Sequence, residues 1–525
     1  MRGIGATILL LAAVGAATWA GVVVLSGGFS LGRLVSRDPV RPFIIAAILA
    51  AIGRVVSPVD FDARVARIAG AHDRWPSRLA VLAAGAVWVV ATAWNTRAAG
   101  GSDSSCYVLQ ADAFAHGHAV LEHPLAAAIP EAPPAVFAPT GFIPSRSDRG
   151  AAVPICAPGL AVLMAPFELA GGRSAVFLVV PIFAATAVWL TFALGRRLDD
   201  AVTGIAAAIL VACSPIFLYQ AVRPMSDVPA AALWLGALLG AARGDRAGQI
   251  AAGLCASVAV LTRPNLAVAV VPIAWLLRDR QAWIRFGAAA LVALGALNTL
   301  RYGSPLASGY GEPGALFSFA HVAANVPRYG RWLIDTQSPL IVCAAAAPLI
   351  LRGRPTAMVC AVAVMLVSAT YLAYTVFDEW WCLRFLLPAL PVLIVFMVIA
   401  LRRVARVVPR PLFWAGVVAM AAWYGLVAGR RHVFDLQRLE SRFALTGAYA
   451  ARALPADAAV LAVQQSGSIR FYAGRPTLAW DAIPPDGLDA LVERLRANGR
   501  GVFAALEDSE AEPFASVFPR SAAAG

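Results

Sequence analysis

Residues 174–195 read S-A-V-F-L-V-V-P-I-F-A-A-T-A-V-W-L-T-F-A-L-G, an uncharged and mostly apolar run closed by Arg196 and Arg197. A helix of that length covers about 30 Å, the thickness of a bilayer's hydrocarbon core. Similar runs recur near residues 4–26, 79–94, 201–219, 286–300, 357–377, 385–401 and 411–429, with weaker ones near 43–56, 228–242, 249–262, 266–277 and 339–351. Of 525 residues, 60% are hydrophobic and 14% charged, more apolar surface than one soluble core can bury. Lipid must take the remainder, and a helix in lipid satisfies its own backbone donors and acceptors. A membrane barrel would instead show short alternating segments. These patterns predict an all-α polytopic membrane protein with about 11 to 13 transmembrane helices. The first run exceeds a signal-peptide core and more spans follow it, so it reads as an anchor.

The chain has no lysine, so its formal charge of +13 rests on arginine. Arg54, Arg64, Arg67, Arg74 and Arg78, then Arg196 and Arg197, Arg243 and Arg246, Arg278, Arg280 and Arg285, Arg352 and Arg354, and Arg402, Arg403, Arg406 and Arg410 fall on one side when every span is counted. The bias of basic loops makes that side cytoplasmic. The N-terminus is then cytoplasmic, in a plasma (inner) membrane, and residues 95–173, 301–338 and everything after about 430 face outward. The expected organisation is a transmembrane domain over 1–429, with 95–173 as its first large outer loop, and a small extracytoplasmic α/β domain over 430–525. In that tail A-A-V-L-A-V and G-V-F-A-A-L read as strands, S-I-R-F-Y-A-G as a helical turn and G-L-D-A-L-V-E-R-L-R-A-N-G as an amphipathic helix with a glycine stop. The charge is mostly topological and implies no nucleic acid.

Polar residues concentrate in the outer segments, where burying them near lipid is costly. The first loop begins G-G-S-D-S-S-C-Y-V-L-Q-A-D-A-F-A-H-G-H; Ser102 or Asp103 can cap a helix that sets Tyr107, Gln110 and Phe114 on the face of Asp103. A row of prolines from Pro124 to Pro144 breaks regular structure before a short amphipathic helix that starts at Pro158 and Gly159 and lies in the interface. His116, His118, Glu122 and His123 have metal-ligand chemistry, but their spacing matches no zinc motif and a solvated loop is the simpler reading. Cys106 and Cys156 share the loop and can pair in an oxidising compartment; the other cysteines read as small core residues.

The order of these motifs resembles the GT-C class of membrane glycosyltransferases, in the protein-mannosyltransferase and aminoarabinose-transferase-like superfamily. Asp103, Tyr107 and Gly117 match the family's first outer loop, and Pro158 and Gly159 its next helix start. C-S-P-I-F-L-Y-Q-A-V-R-P-M-S-D-V-P resembles its second outer turn with Asp227, L-T-R-P-N a basic turn with Arg263, and F-D-E-W-W-C-L-R-F-L-L-P-A-L-P the entry to a late span with Trp380, Trp381 and Arg384. The similarity covers most of residues 80–401. Many relatives carry an Asp-Glu pair in the first loop, whereas Ser104 follows Asp103 here.

The resemblance implies transfer of a sugar from a polyprenyl-phosphate donor to a hydroxyl on a protein, lipid or glycan acceptor, with membrane lipids around the site and a divalent metal in some members. Asp103 would be the general base. Arg223, Arg263, Arg301 and Arg384 are the candidates to hold the donor phosphate, since guanidinium forks match phosphate oxygens. Tyr107, Asp227, Trp380 and Trp381 are the candidates to bind substrate, and no residue is assigned as a metal ligand. A lipid or glycan transporter would share the spans and basic groups, but it should show internal repeats and broken helices at the midplane, and no convincing repeat is visible.

Overall fold

In the computed structural model the described residues are 74–522, apart from 147, 278–280, 312 and 406–408, together with short stretches between residues 12 and 52. Those stretches include a pair of antiparallel strands, Phe29–Leu31 and Leu34–Ser36. Most of the expected spans at 4–26 and 43–56, and Arg54, Arg64, Arg67, Arg278, Arg280 and Arg406, lie outside the described residues.

The remaining apolar runs are helices. Trp75–Ala93, Arg173–Leu198, Pro355–Leu372 and Arg410–Arg430 are each long and apolar enough to cross a membrane. Three further candidates are bent pairs: Ala201–Cys213 with Pro215–Ala221 at 62°, Phe319–Gln337 with Pro339–Ile350 at 106°, and Trp380–Leu386 with Leu390–Val404 at 86°. The bends fall at Pro215, Pro339 and Pro388, where proline removes a backbone donor. Gly159–Gly171, Arg246–Thr262, Pro264–Ala274 and Phe286–Tyr302 are shorter apolar helices. By length and composition the described residues thus supply four to seven spans. The higher sequence-based number also counts the runs at 4–26 and 43–56, which lie mostly outside the described residues, and the shorter helices over 228–242, 249–262, 266–277 and 286–300. The chain is a multi-pass helical membrane protein.

The helices approach closely where small residues face each other. A methyl group at Gly195 would meet the Gly204 Cα at 2.7 Å, so the Val179–Leu198 and Ala201–Cys213 helices touch through backbone. Beside that crossing, Asp200 accepts from the Thr203 N–H, and Arg402 pairs with both Asp199 and Asp200. This network pins the Leu390–Val404 helix to that end of the bundle.

At the opposite end lie the first large loop and the C-terminal unit. The loop holds the Ser102–Ala115 helix and an antiparallel sheet of three short strands, Leu121–Glu122, Ala151–Pro154 and Phe142–Pro144 in that spatial order. The prolines were expected to exclude regular structure here, yet they only keep the strands short. Cys106 and Cys156 form a disulfide that ties the helix to the sheet's exit.

The C-terminal unit has a parallel sheet ordered Thr477–Leu478, Ala459–Leu461, Val502–Ala504, with helices Leu488–Ala497 and Asp508–Val517. Its core is shared with the first loop. Leu125, Ile129, Val136 and Phe137 pack against Leu461, Leu478, Trp480, Leu491 and Phe518. The Thr140 hydroxyl donates to the Val463 carbonyl at 2.7 Å, and the Ala479 N–H to the Val136 carbonyl at 2.8 Å.

Candidate functional site

Asp103 sits in the first turn of the Ser102–Ala115 helix. The cap is not Ser102 or Asp103, as expected from sequence, but Gly101, whose φ of 65° is open to glycine without strain. Asp103 is therefore free to project, and the helix N-terminus favours its charge. Arg384 donates from Nη2 to its Oδ2 at 2.8 Å.

A second pair lies beside the first. Asp227, fully buried at the start of the Asp227–Arg243 helix, accepts from Arg263 Nη2 at 2.5 Å. Arg263 also donates to the Tyr371 hydroxyl at 3.2 Å and, through Nε, to the Ser226 hydroxyl at 3.4 Å. Tyr107 completes the link by donating to that same serine at 2.8 Å. The guanidinium groups of Arg263 and Arg384 both stack on Phe385, at 5.4 and 5.1 Å from its centroid, and Tyr371 stacks on that ring at 5.3 Å. Residues from the loop helix, the turn before Asp227, the turn at Arg263 and the bent 380–386 segment thus meet in one cluster.

The third part is aromatic. Tyr219 meets Trp380 edge-on at 5.1 Å and stacks with Trp381 at 6.2 Å. Arg223 lies 5.4 Å over the Tyr219 ring. Arg301 does not join this cluster. Its Nη1 donates to Gln110 at 2.8 Å and its Nε to the Ala119 carbonyl at 2.9 Å, so it braces the far half of the loop helix.

Several donors and acceptors here lack protein partners. Arg384 Nε and Asp227 Oδ2 are buried with no hydrogen-bond partner among the described residues, and so are both polar atoms of the Gln220 side chain. Orphaned buried polar atoms are costly, and at a functional site they mark where a ligand bonds.

A crystal structure of ArnT from Cupriavidus metallidurans bound to undecaprenyl phosphate superposes with a TM-score of 0.55 at 14% identity, over 84% of this chain and 88% of that one. The fold is that of the GT-C membrane glycosyltransferases. Residues 159–300 also match the family model for dolichyl-phosphate-mannose-protein mannosyltransferase. The apo form of the same ArnT (TM-score 0.48, 14% identity, 76% and 84% coverage) and the oligosaccharyltransferase of Archaeoglobus fulgidus (0.44, 14%, 77% and 64%) are more distant matches. No curated protein matches the chain by sequence.

Within this GT-C fold, Asp103 and Asp227 each face a guanidinium, and no third acidic, histidine or cysteine side chain groups with them among the described residues. The residues present do not form a metal ligand set there. The histidine cluster is also dispersed. His123 is buried against the C-terminal unit, with Nε2 2.9 Å from the Thr477 carbonyl and Nδ1 accepting from Leu125 N–H. Burial, with Arg470 nearby, lowers its pKa to about 3, so the ring is a neutral core residue.

Sequence reasoning passed over Ser226, Tyr371 and Phe385. Ser226 and Phe385 stand inside the quoted motifs, next to Asp227 and Arg384, and adjacency to a charged residue was the available signal. Tyr371 lies in an apolar helix where only its hydroxyl marks it. In the segment 301–338, Tyr329 and Trp332 are buried and Arg328 pairs with Asp378 at 2.7 Å.

Proposed function

We propose that the chain is a glycosyltransferase that moves a sugar from a polyprenyl-phosphate donor to an acceptor hydroxyl on the extracytoplasmic face, with Asp103 as general base. The observation that carries this reading is Arg384, which spends one N–H on Asp103 while its buried Nε has no acceptor among the described residues. A guanidinium so placed can hold the base and grip a phosphate together.

The reaction needs a proton acceptor and a charge sink. As the acceptor oxygen bonds to the anomeric carbon, its proton passes to Asp103. The bond from that carbon to the phosphate oxygen breaks, and its electron pair leaves on the polyprenyl phosphate. Arg384, Arg263 and Arg223 would stabilise that charge in a site shielded from water. A phosphate drawing donors from Arg384 would weaken its hold on Asp103, so donor binding would itself ready the base. Tyr107 and Asp227 fix the arginines, and Trp380 and Trp381 offer faces on which a sugar ring can stack. Arg301 acts as a strut instead of a phosphate ligand. The outward orientation is supported by the arginine-rich connections at the other end of the bundle and by the Cys106–Cys156 disulfide, a bond kept in oxidising compartments.

The test is transfer of labelled sugar from polyprenyl-phosphate donors in membranes carrying the wild type or Asp103→Asn at equal expression. Transfer by the wild type and its loss in the variant is the expected result. Undiminished transfer by Asp103→Asn would move the base elsewhere, and movement of the lipid-linked sugar across the bilayer without transfer would favour a transporter.

A further inference from the structure

Asp112 and His116 stand one turn apart at the C-terminal end of the Ser102–Ala115 helix, His116 being the C-cap just past it. Glu168 comes from the Gly159–Gly171 helix, otherwise apolar around it. One ligand atom from each lies within 4.8 Å of the other two, and no other such trio occurs among the described residues.

Glu168 is the second, independent observation. Its side chain is 5% exposed, and neither carboxylate oxygen accepts a hydrogen bond among the described residues. The nearest counter-charge, Arg173 Nε, is 4.0 Å away and donates instead to Asp112 at 3.1 Å, while Arg173 Nη1 donates to the Phe471 carbonyl at 2.7 Å. Two carboxylates against one guanidinium leave negative charge in a buried place, and an isolated carboxylate there is costly.

We infer that Asp112, His116 and Glu168 bind one zinc-class divalent ion, which staples the helix carrying Asp103 to the Gly159–Gly171 helix. Two carboxylates and an imidazole suit a borderline cation better than magnesium or calcium, which favour all-oxygen shells. Tetrahedral zinc sets its ligand atoms roughly 3.4 Å apart, given bonds of about 2.1 Å. The His116 side chain is 62% exposed, and its Nδ1, 2.7 Å from the Asp112 backbone carbonyl, would turn from that oxygen or leave Nε2 to the ion. Arg173 would keep its bond to Asp112 Oδ1 and would carry the staple's position to Phe471 in the C-terminal unit. Nine residues of helix, roughly 13 Å, separate Asp112 from Asp103. The ion is therefore structural, and the inference goes beyond the glycosyltransferase reading.

The experiment uses the full chain in detergent, stripped with chelator and titrated with zinc alone against a chromophoric competitor. Bound metal is counted after desalting, and thermal unfolding is followed with and without zinc. The wild type should take up one equivalent and gain in unfolding temperature. His116→Ala, a change on the surface, should lower affinity at least ten-fold and abolish the gain, as should Glu168→Gln, whereas Asp103→Asn should bind as the wild type does. Less than one equivalent in the wild type, or unchanged binding by His116→Ala, would overturn the site. Because the readout is metal uptake, neither outcome depends on sugar transfer.

Discussion

Arg384 crosses 281 residues of sequence to donate to Asp103 Oδ2, making an ion pair between the first loop and a late bent segment. Its geometry is a single N–H to one oxygen, so the rest of the fork is available. Arg384→Lys keeps the charge but loses the fork. Transfer should fall by one to three orders of magnitude, with the larger share in kcat, since the donors act on charge developing in the transition state. A variant with wild-type kcat and only a raised KM would show that Arg384 serves binding alone.

The Asp227–Arg263 pair is buried. Removing one partner strands the other, and Arg263→Gln or Asp227→Asn alone should destabilise by about 3 to 5 kcal/mol. The double variant should recover part of that loss. Thermal unfolding in detergent measures all three, and additive losses would show that the two residues do not interact.

The Cys106–Cys156 disulfide anchors the loop helix four residues after Asp103's neighbour Ser102. Cys106→Ser with Cys156→Ser should reduce transfer more than it reduces the amount of folded protein. Equal activity per folded molecule would mean that the helix is held well enough by Arg384 and Arg301.

His123 predicts an acid sensitivity. Its pKa is near 3 in the fold and near 6.5 when exposed, so the unfolded chain binds the extra proton between those values. Stability from this group is complete above about pH 6.5 and is lost as pH falls towards 3, by about 2 kcal/mol at pH 5. His123→Asn, which can keep a donor and an acceptor, should flatten the change in unfolding midpoint between pH 7 and pH 5. An identical pH dependence in both proteins would rule this group out as the source.

The helices were legible because lipid imposes a length and a polarity on every crossing, and residues 174–195 or 411–429 could hardly be anything else. The bends were less so. Pro215, Pro339 and Pro388 announce a break, but the angle depends on which partner helix takes up the freed carbonyls. In the site, the charged members Asp103, Asp227, Arg263 and Arg384 stood out against apolar surroundings, whereas their pairing joins segments too far apart in sequence for any local pattern to reveal. Arg301 shows the limit: an arginine at a helix end reads alike whether it faces a ligand or a glutamine. Glu168 shows the opposite error, an acid in an apolar helix whose cost should have singled it out.

The core shared by the first loop and the C-terminal unit also sets a timetable for biogenesis. Thr140 must wait for Ser466, 326 residues later, to accept its backbone N–H, and Leu125, Ile129 and Phe137 have no apolar cover until Trp480 and Phe518 have been made. At ribosomal speeds that is tens of seconds during which a greasy surface stands open on one side of the membrane. Chains that stop short of residue 518 should therefore be recognised by quality-control proteases even when every transmembrane helix is in place.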